Sequence, residues 1–101
     1  MTNRVLIPYD ASILEHLDVR QKNMIGQSGW ARDKEWDLVF VRCPNCAINA
    51  PLASGHKISE DGTVNPSIWH QCPKGIRDQL KADDWHIFGI LAGWPGPNEP
   101  S

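Results

Sequence analysis

Trp36-Asp37-Leu38-Val39-Phe40-Val41-Arg42-Cys43-Pro44-Asn45-Cys46 is the stretch on which the reading of the whole chain turns. Its first seven residues are apolar, β-branched and aromatic enough to predict a strand over 36–42. That strand runs straight into two cysteines separated by two residues. The spacing lets both thiolates reach one ion from a tight turn, and Pro44 fixes a backbone angle within it. Zinc ribbons and knuckles are built in this way, from a strand that delivers its last residues to a Cys-x-x-Cys turn.

The third and last cysteine lies downstream in His70-Gln71-Cys72. Ser67 to Cys72 reads as extended chain, so alternation puts Ile68, His70 and Cys72 on one face. Cys43, Cys46 and Cys72 are therefore the expected thiolate ligands of a Zn2+ ion. His70 is the preferred fourth ligand, with His56 as the alternative. Three thiolates and one imidazole close a tetrahedral set, which points to a structural ion rather than a catalytic one. The competing readings are three free cysteines packed as small hydrophobes and a Cys43–Cys46 disulfide. No thioredoxin-like helix pattern follows the pair to support the disulfide.

Around this centre the sequence predicts short elements. Arg4 to Ile7 reads as an edge strand or extended arm, limited by Pro8. Ile13, Leu14, Leu17, Met24 and Ile25 recur at helical spacing behind a capping Asp10 or Ser12, which predicts a helix over 11–24. Gly26 to Glu35 is polar, with two glycines, and reads as a loop. Ala47 to Ala53 is the expected return strand. Lys57 to Val64 reads as a hairpin with Asp61-Gly62 at its turn. Ile76 to Ala82 is a candidate short helix, and Trp85 to Leu91 a final strand. The expected fold class is α+β: a small β-rich, zinc-ribbon-like domain over residues 1–94 with an N-terminal helix and a short C-terminal helix. Residues 95–101, rich in Pro and Gly, are expected to form a mobile tail.

Composition narrows the function classes. The chain has 101 residues and a formal net charge of −2. A single thin core is feasible at this size, and a metal would strengthen it. The charge argues against binding nucleic acid through bulk electrostatics. The basic residues Arg32, Lys34, Arg42, Lys57, Lys74, Arg77 and Lys81 are interleaved with acids. No apolar run is long enough to cross a bilayer, and the start lacks the pattern of a signal peptide. Together with an odd number of cysteines, this leads us to expect a reducing, cytoplasmic setting and no membrane partner.

The enzyme classes find little support. The zinc deaminases pair His-x-Glu with Pro-Cys-x-x-Cys, whereas Arg42 precedes this pair and no His is followed two residues later by Glu. A metal-dependent hydrolase needs an open coordination position and a carboxylate base, and nothing in the sequence places one at the cluster.

Cys43-Pro44-x-Cys46, then Asp61-Gly62-Thr63-Val64-Asn65-Pro66-Ser67-Ile68, then Cys72 and Gly75, resembles a family of small proteins of unknown function found in tailed phages and prophages. The resemblance covers roughly residues 40–92. It departs where relatives place a histidine after the late cysteine and this chain has Pro73 and Lys74. The resemblance implies a phage-type protein that binds a host protein complex, as inhibitors of CRISPR or restriction systems do. Trp30, Asp33, Glu35, Asp83 and Asp84 are the candidate contact residues for such a partner. A zinc-ribbon regulator that binds nucleic acid is the alternative, and a metal-dependent hydrolase the second alternative.

Overall fold

A computed structural model describes residues 4–52, 55–81 and 83–95. Strands dominate, and among the described residues there is one α-helix, α1 (Lys74–Leu80). The 36–42 stretch forms strand β3 (Leu38–Arg42), the middle strand of a three-stranded antiparallel sheet between β2 (Gly29–Asp33) and β4 (Asn49–Pro51). Its register pairs Trp30 with Val41 and Arg42 with Asn49. Trp36 lies outside the strand, on the turn that joins β2 to β3.

Strand β2 overturns the expected loop over 26–35. Its polar look misleads because Trp30 and Ala31 are buried while Arg32 and Asp33 reach the rim. Gly29 opens the strand because the space is already taken. A Cβ there would lie 3.0 Å from Arg42 Nη2 and 3.1 Å from Asp10 Cβ.

The helix expected over 11–24 is also corrected. Two short 3-10 segments, Ala11–Glu15 and Lys22–Met24, stand in its place with irregular chain between them. The apolar residues that suggested a stripe diverge: Ile13 is fully buried, whereas Leu14 and Ile25 are exposed. The segment keeps short-range bonds within its turns, such as His16 N–H to Ile13 O, and adds bonds to the cysteine turn. Gln21 N–H donates to Ala47 O at 3.1 Å, and Arg20 Nε donates to Cys46 O at 2.6 Å. Tertiary partners outweigh a weak local preference here.

The remaining strands form three pairs. β5 (Lys57–Ile58) and β6 (Val64–Asn65) make the hairpin expected around Asp61-Gly62. Gly62 takes φ +92°, and Asp61 Oδ1 accepts from Thr63 N–H at 3.0 Å. β7 (Ile68–His70) pairs with β8 (Trp85–Ile87), and β1 (Val5–Ile7) lies parallel to β9 (Gly89–Leu91). The single strand expected over 85–91 is thus split at Phe88, and its two halves serve different neighbours. Helix α1 starts at Lys74, two residues before the expected 76, and ends at Lys81 with φ 54°. No helix among the described residues is long and apolar enough to cross a membrane. Of the expected tail 95–101, residues 96–101 lie outside the described residues, as does Ala82 of the expected helix.

One core cluster joins these pieces: Ile7, Trp30, Val39, Val41, Val64, Ile68, Trp85 and Leu91 pack together with all three cysteines. The thiols are therefore part of the hydrophobic core and continuous with it.

Candidate metal centre

Cys43 and Cys46 sit on the turn between β3 and β4, and the turn is held from both sides. Cys43 N–H donates to Ile48 O at 2.9 Å, and Ala47 N–H donates back to Cys43 O at 2.7 Å. Ala47 takes φ 63° to close it. The backbone N–H groups of Cys46 and Asn45 are directed at the Cys43 sulfur. His70 is the last residue of β7, and Cys72 follows two residues later, just before α1. Alternation along β7 exposes Trp69 and turns Ile68, His70 and Cys72 inward.

The four side chains converge. The ligand atoms of Cys43, Cys46, His70 and Cys72 all lie within 4.8 Å of one another. Cys43 Sγ is 3.7 Å from Cys72 Sγ, and Cys46 Sγ is 3.7 Å from His70 Nδ1. A tetrahedral centre with metal–sulfur bonds of about 2.3 Å has a sulfur–sulfur edge of about 3.8 Å. Two of the six donor–donor edges match this size, and the others are no longer than 4.8 Å. Three thiols and an imidazole suit a soft or borderline divalent ion. His56 does not belong to this group.

Burial explains why the cluster calls for a cation. It pushes the Cys43 thiol well up and raises that of Cys72, and the N–H groups directed at Cys43 offset this only in part. Burial also lowers the pKa of His70, against a smaller opposing pull from the Asp84 carboxylate. Without a cation, burial therefore favours the neutral forms of Cys43, Cys72 and His70. A divalent ion reverses the thiol balance, because its charge stabilises thiolates that the core otherwise disfavours.

Supporting residues surround the ligands. Asn45 Nδ2 donates to Asp83 O at 2.8 Å, tying the turn to the chain ahead of β8. Cys72 Sγ lies 3.7 Å from the same carbonyl. Arg20 holds the Cys46 carbonyl from the other side. Sequence reasoning missed Arg20 and Asn45. The position of Asn45 inside the cysteine pair was a usable signal, whereas nothing local marks Arg20.

The candidate contact residues fare differently. Trp30 is corrected from surface anchor to core residue: it is 3% exposed, and its Nε1–H donates to Ala92 O at 2.9 Å. Asp33 and Glu35 lie on the β2–β3 hairpin. There the Asp33 carboxylate accepts from the N–H groups of Glu35 and Trp36 at 2.9 and 3.3 Å. Trp36 and Trp69 are the most exposed described tryptophans, at 69% and 62%. Asp83 and Asp84 belong to the metal-centre side, where Asp84 pairs with Arg77 at 3.2 Å. Comparison with protein-family models, with curated proteins and with solved structures finds no match.

Proposed function

We propose that this chain is a non-enzymatic, zinc-ribbon-like binding module, held together by one structural zinc ion, that modulates a host protein complex from within the host cytoplasm. The observation that carries this reading is the closed, buried set of four donors. Zinc prefers thiolate and imidazole in tetrahedral array, and four protein ligands leave no position for substrate or a reactive water. The phage resemblance supplies the class of partner, a host defence complex of the CRISPR or restriction type.

Contact with the partner is assigned to the β2–β3 hairpin. Trp36 stands exposed at its tip between Asp33, Lys34 and Glu35 on one side and Asp37, paired with Arg32, on the other, and the bonds to Asp33 order the turn beneath it. A large aromatic side chain on an ordered tip is the kind of residue that dominates protein interfaces. The acidic flank suits a partner surface that otherwise receives nucleic acid.

The test has two arms. Elemental analysis of the purified chain should give about one zinc per chain. Host-lysate capture should retain one partner with the wild type and lose it with Trp36→Ala, whose metal content and fold stay unchanged. Absence of zinc removes the stabilising half of the reading, and capture indifferent to Trp36 removes the interface. A low-salt gel shift by the zinc-loaded chain would favour the nucleic-acid regulator instead.

A further inference from the structure

Cys43 Sγ and Cys72 Sγ lie 3.7 Å apart, although the two residues are 29 positions apart in the chain. Cys43 stands on the turn between β3 and β4, whereas Cys72 follows β7 and precedes α1. The pair therefore spans the two regions of the fold that the four donors bring together. Cys46 shares its turn with Cys43, so a bond between those two would close a small ring and join nothing else. The backbone already holds Cys43 and Cys72 in place. Asn45 Nδ2 donates to Asp83 O at 2.8 Å from within the cysteine turn, and Cys72 Sγ lies 3.7 Å from the same carbonyl. Access to the sulfurs is narrow. Cys43 and Cys46 are 0% exposed and Cys72 1%, whereas His70 is half-buried and forms the rim. An oxidant that passes the imidazole has to be small.

We propose that the cluster is a redox-sensitive centre: a peroxide converts Cys43 and Cys72 into a disulfide, the zinc ion leaves, and the new bond takes over the cross-link that the ion supplied. This deepens the zinc reading above and rests on it for the ion. One thiolate of the pair attacks the peroxide; an S–O bond forms, the O–O bond breaks, and hydroxide leaves and takes up a proton as water. The second thiolate attacks that sulfur; the S–S bond forms, the S–O bond breaks, and a second hydroxide leaves as water in the same way. Two thiolates have then given two electrons to one hydrogen peroxide, and Zn2+ keeps its oxidation state. The sulfurs close from 3.7 Å to about 2.0 Å. Cys46 and His70 remain, two donors where a closed zinc site uses four. The disulfide restrains the unfolded chain across the same two regions, so the fold survives the loss of the ion.

The experiment treats the zinc-loaded full chain with hydrogen peroxide. Released zinc is followed with a colorimetric dye, disulfide positions by non-reducing peptide mapping, and the fold by amide dispersion. Released zinc and Cys43–Cys72 disulfide should rise together in about equal amounts, with Cys46 recovered as the free thiol. Amide dispersion should persist, and a chelator that unfolds the untreated chain should leave the oxidised chain folded. Dithiothreitol with added zinc should restore the starting state. A Cys43–Cys46 disulfide as the main product, sulfinic or sulfonic acids without a cross-link, or loss of dispersion on oxidation would overturn the proposal. So would retention of zinc and of all the thiols at a large excess of peroxide. A chain that holds no zinc even when the metal is supplied would sink the zinc reading instead, and mapping of its oxidised form would still decide between the Cys43–Cys72 bond and its rivals.

Discussion

Arg42 and Cys43 are neighbours at the end of β3, both almost fully buried, and each stands in a different buried cluster. Arg42 faces the N-terminal segment. Its Nη1 meets Asp10 Oδ2 at 2.8 Å and Gln21 Oε1 at 3.0 Å, and its Nε donates to Gln27 O at 2.7 Å. Gln21 in turn bonds Ser12 and Asn49. That network neutralises its charge with residues of the chain itself. Cys43 faces the other way, into a group of three thiols and an imidazole that contains no cation-bearing side chain. One cluster is nearly complete in itself, and the other has the donors to hold an ion from outside. The contrast teaches that two buried polar centres one residue apart can differ in whether folding alone suffices to build them.

The contrast breaks most sharply at the cysteines. Cys43→Ser or Cys72→Ser should abolish stoichiometric zinc and unfold the β3–β4 and β7–β8 strand pairs, read by elemental analysis and amide dispersion. Structural zinc contributes an apparent 10–16 kcal/mol or so, more than the roughly 5–15 kcal/mol net stability of a small domain can spare. A chelator should do the same to the wild type. Full zinc content in either variant would dissolve the distinction between the two clusters.

Arg42→Met tests the other side. It removes the donor to the Gln27 carbonyl, leaves the Gln21 amide oxygen with Asn49 alone, and leaves Asp10 without its cation. Breaking one partner of a buried pair costs about 3–5 kcal/mol. Because Asp10 keeps 24% of its side chain exposed, we expect the lower end, about 3 kcal/mol. Zinc content at saturating metal should stay near one per chain. Denaturant unfolding and metal analysis on the same sample separate the two effects. Loss of zinc along with stability would mean that the clusters are one unit.

A smaller effect comes from Asp10 and pH. The Ser12 hydroxyl bonded to the Asp10 carboxylate, helped by Arg42, holds its pKa below the usual carboxylate value. A depressed folded pKa gives stability that is present above the unfolded value and is lost as pH falls through the folded one. The loss therefore lies below about pH 4. Asp10→Asn should be less stable than the wild type by about 1 kcal/mol near neutrality, as for a weakened helix cap. The gap should close below about pH 4. The gap is read only over the pH range where metal analysis still finds the ion bound, because acid protonates the ligands. A gap that does not narrow at all as pH falls toward 4 over that range would show that Asp10 does not act through its charge.

The two clusters also differ in how well the sequence displays them. The sulfur centre was legible because its cause is local: a spacing of two between Cys43 and Cys46, and alternation that puts His70 and Cys72 on one face. The Arg42 network was not. Asp10, Gln21, Gln27 and Asn49 are scattered along the chain, and each looks like an ordinary surface polar residue. The false helix over 11–24 and the missed strand β2 have other causes: a helical spacing whose residues do not share one buried face, and a strand whose outer half is polar. Trp30 followed suit, since an aromatic residue in a polar stretch reads as exposed until the strand beneath it is known.

The smallest prediction concerns the turn itself. Ala47 closes the cysteine turn at φ 63°, a left-handed conformation that disfavours any Cβ by about 1–2 kcal/mol. Ala47→Gly removes that cost but loosens the unfolded chain, so a net gain of up to about 1 kcal/mol is expected. Lys81 takes φ 54° at the end of α1, away from the ligands, and serves as the control. Both variants should raise thermal stability slightly when zinc is bound. Only Ala47→Gly should also tighten zinc, measured by chelator competition, because the turn it relaxes is the one that presents both sulfurs. Equal zinc affinities in the two variants would mean that the ion, rather than the backbone, sets the shape of the turn. The sulfur cluster would then be assembled by its metal to an even greater degree than its neighbour across β3 is assembled by the chain.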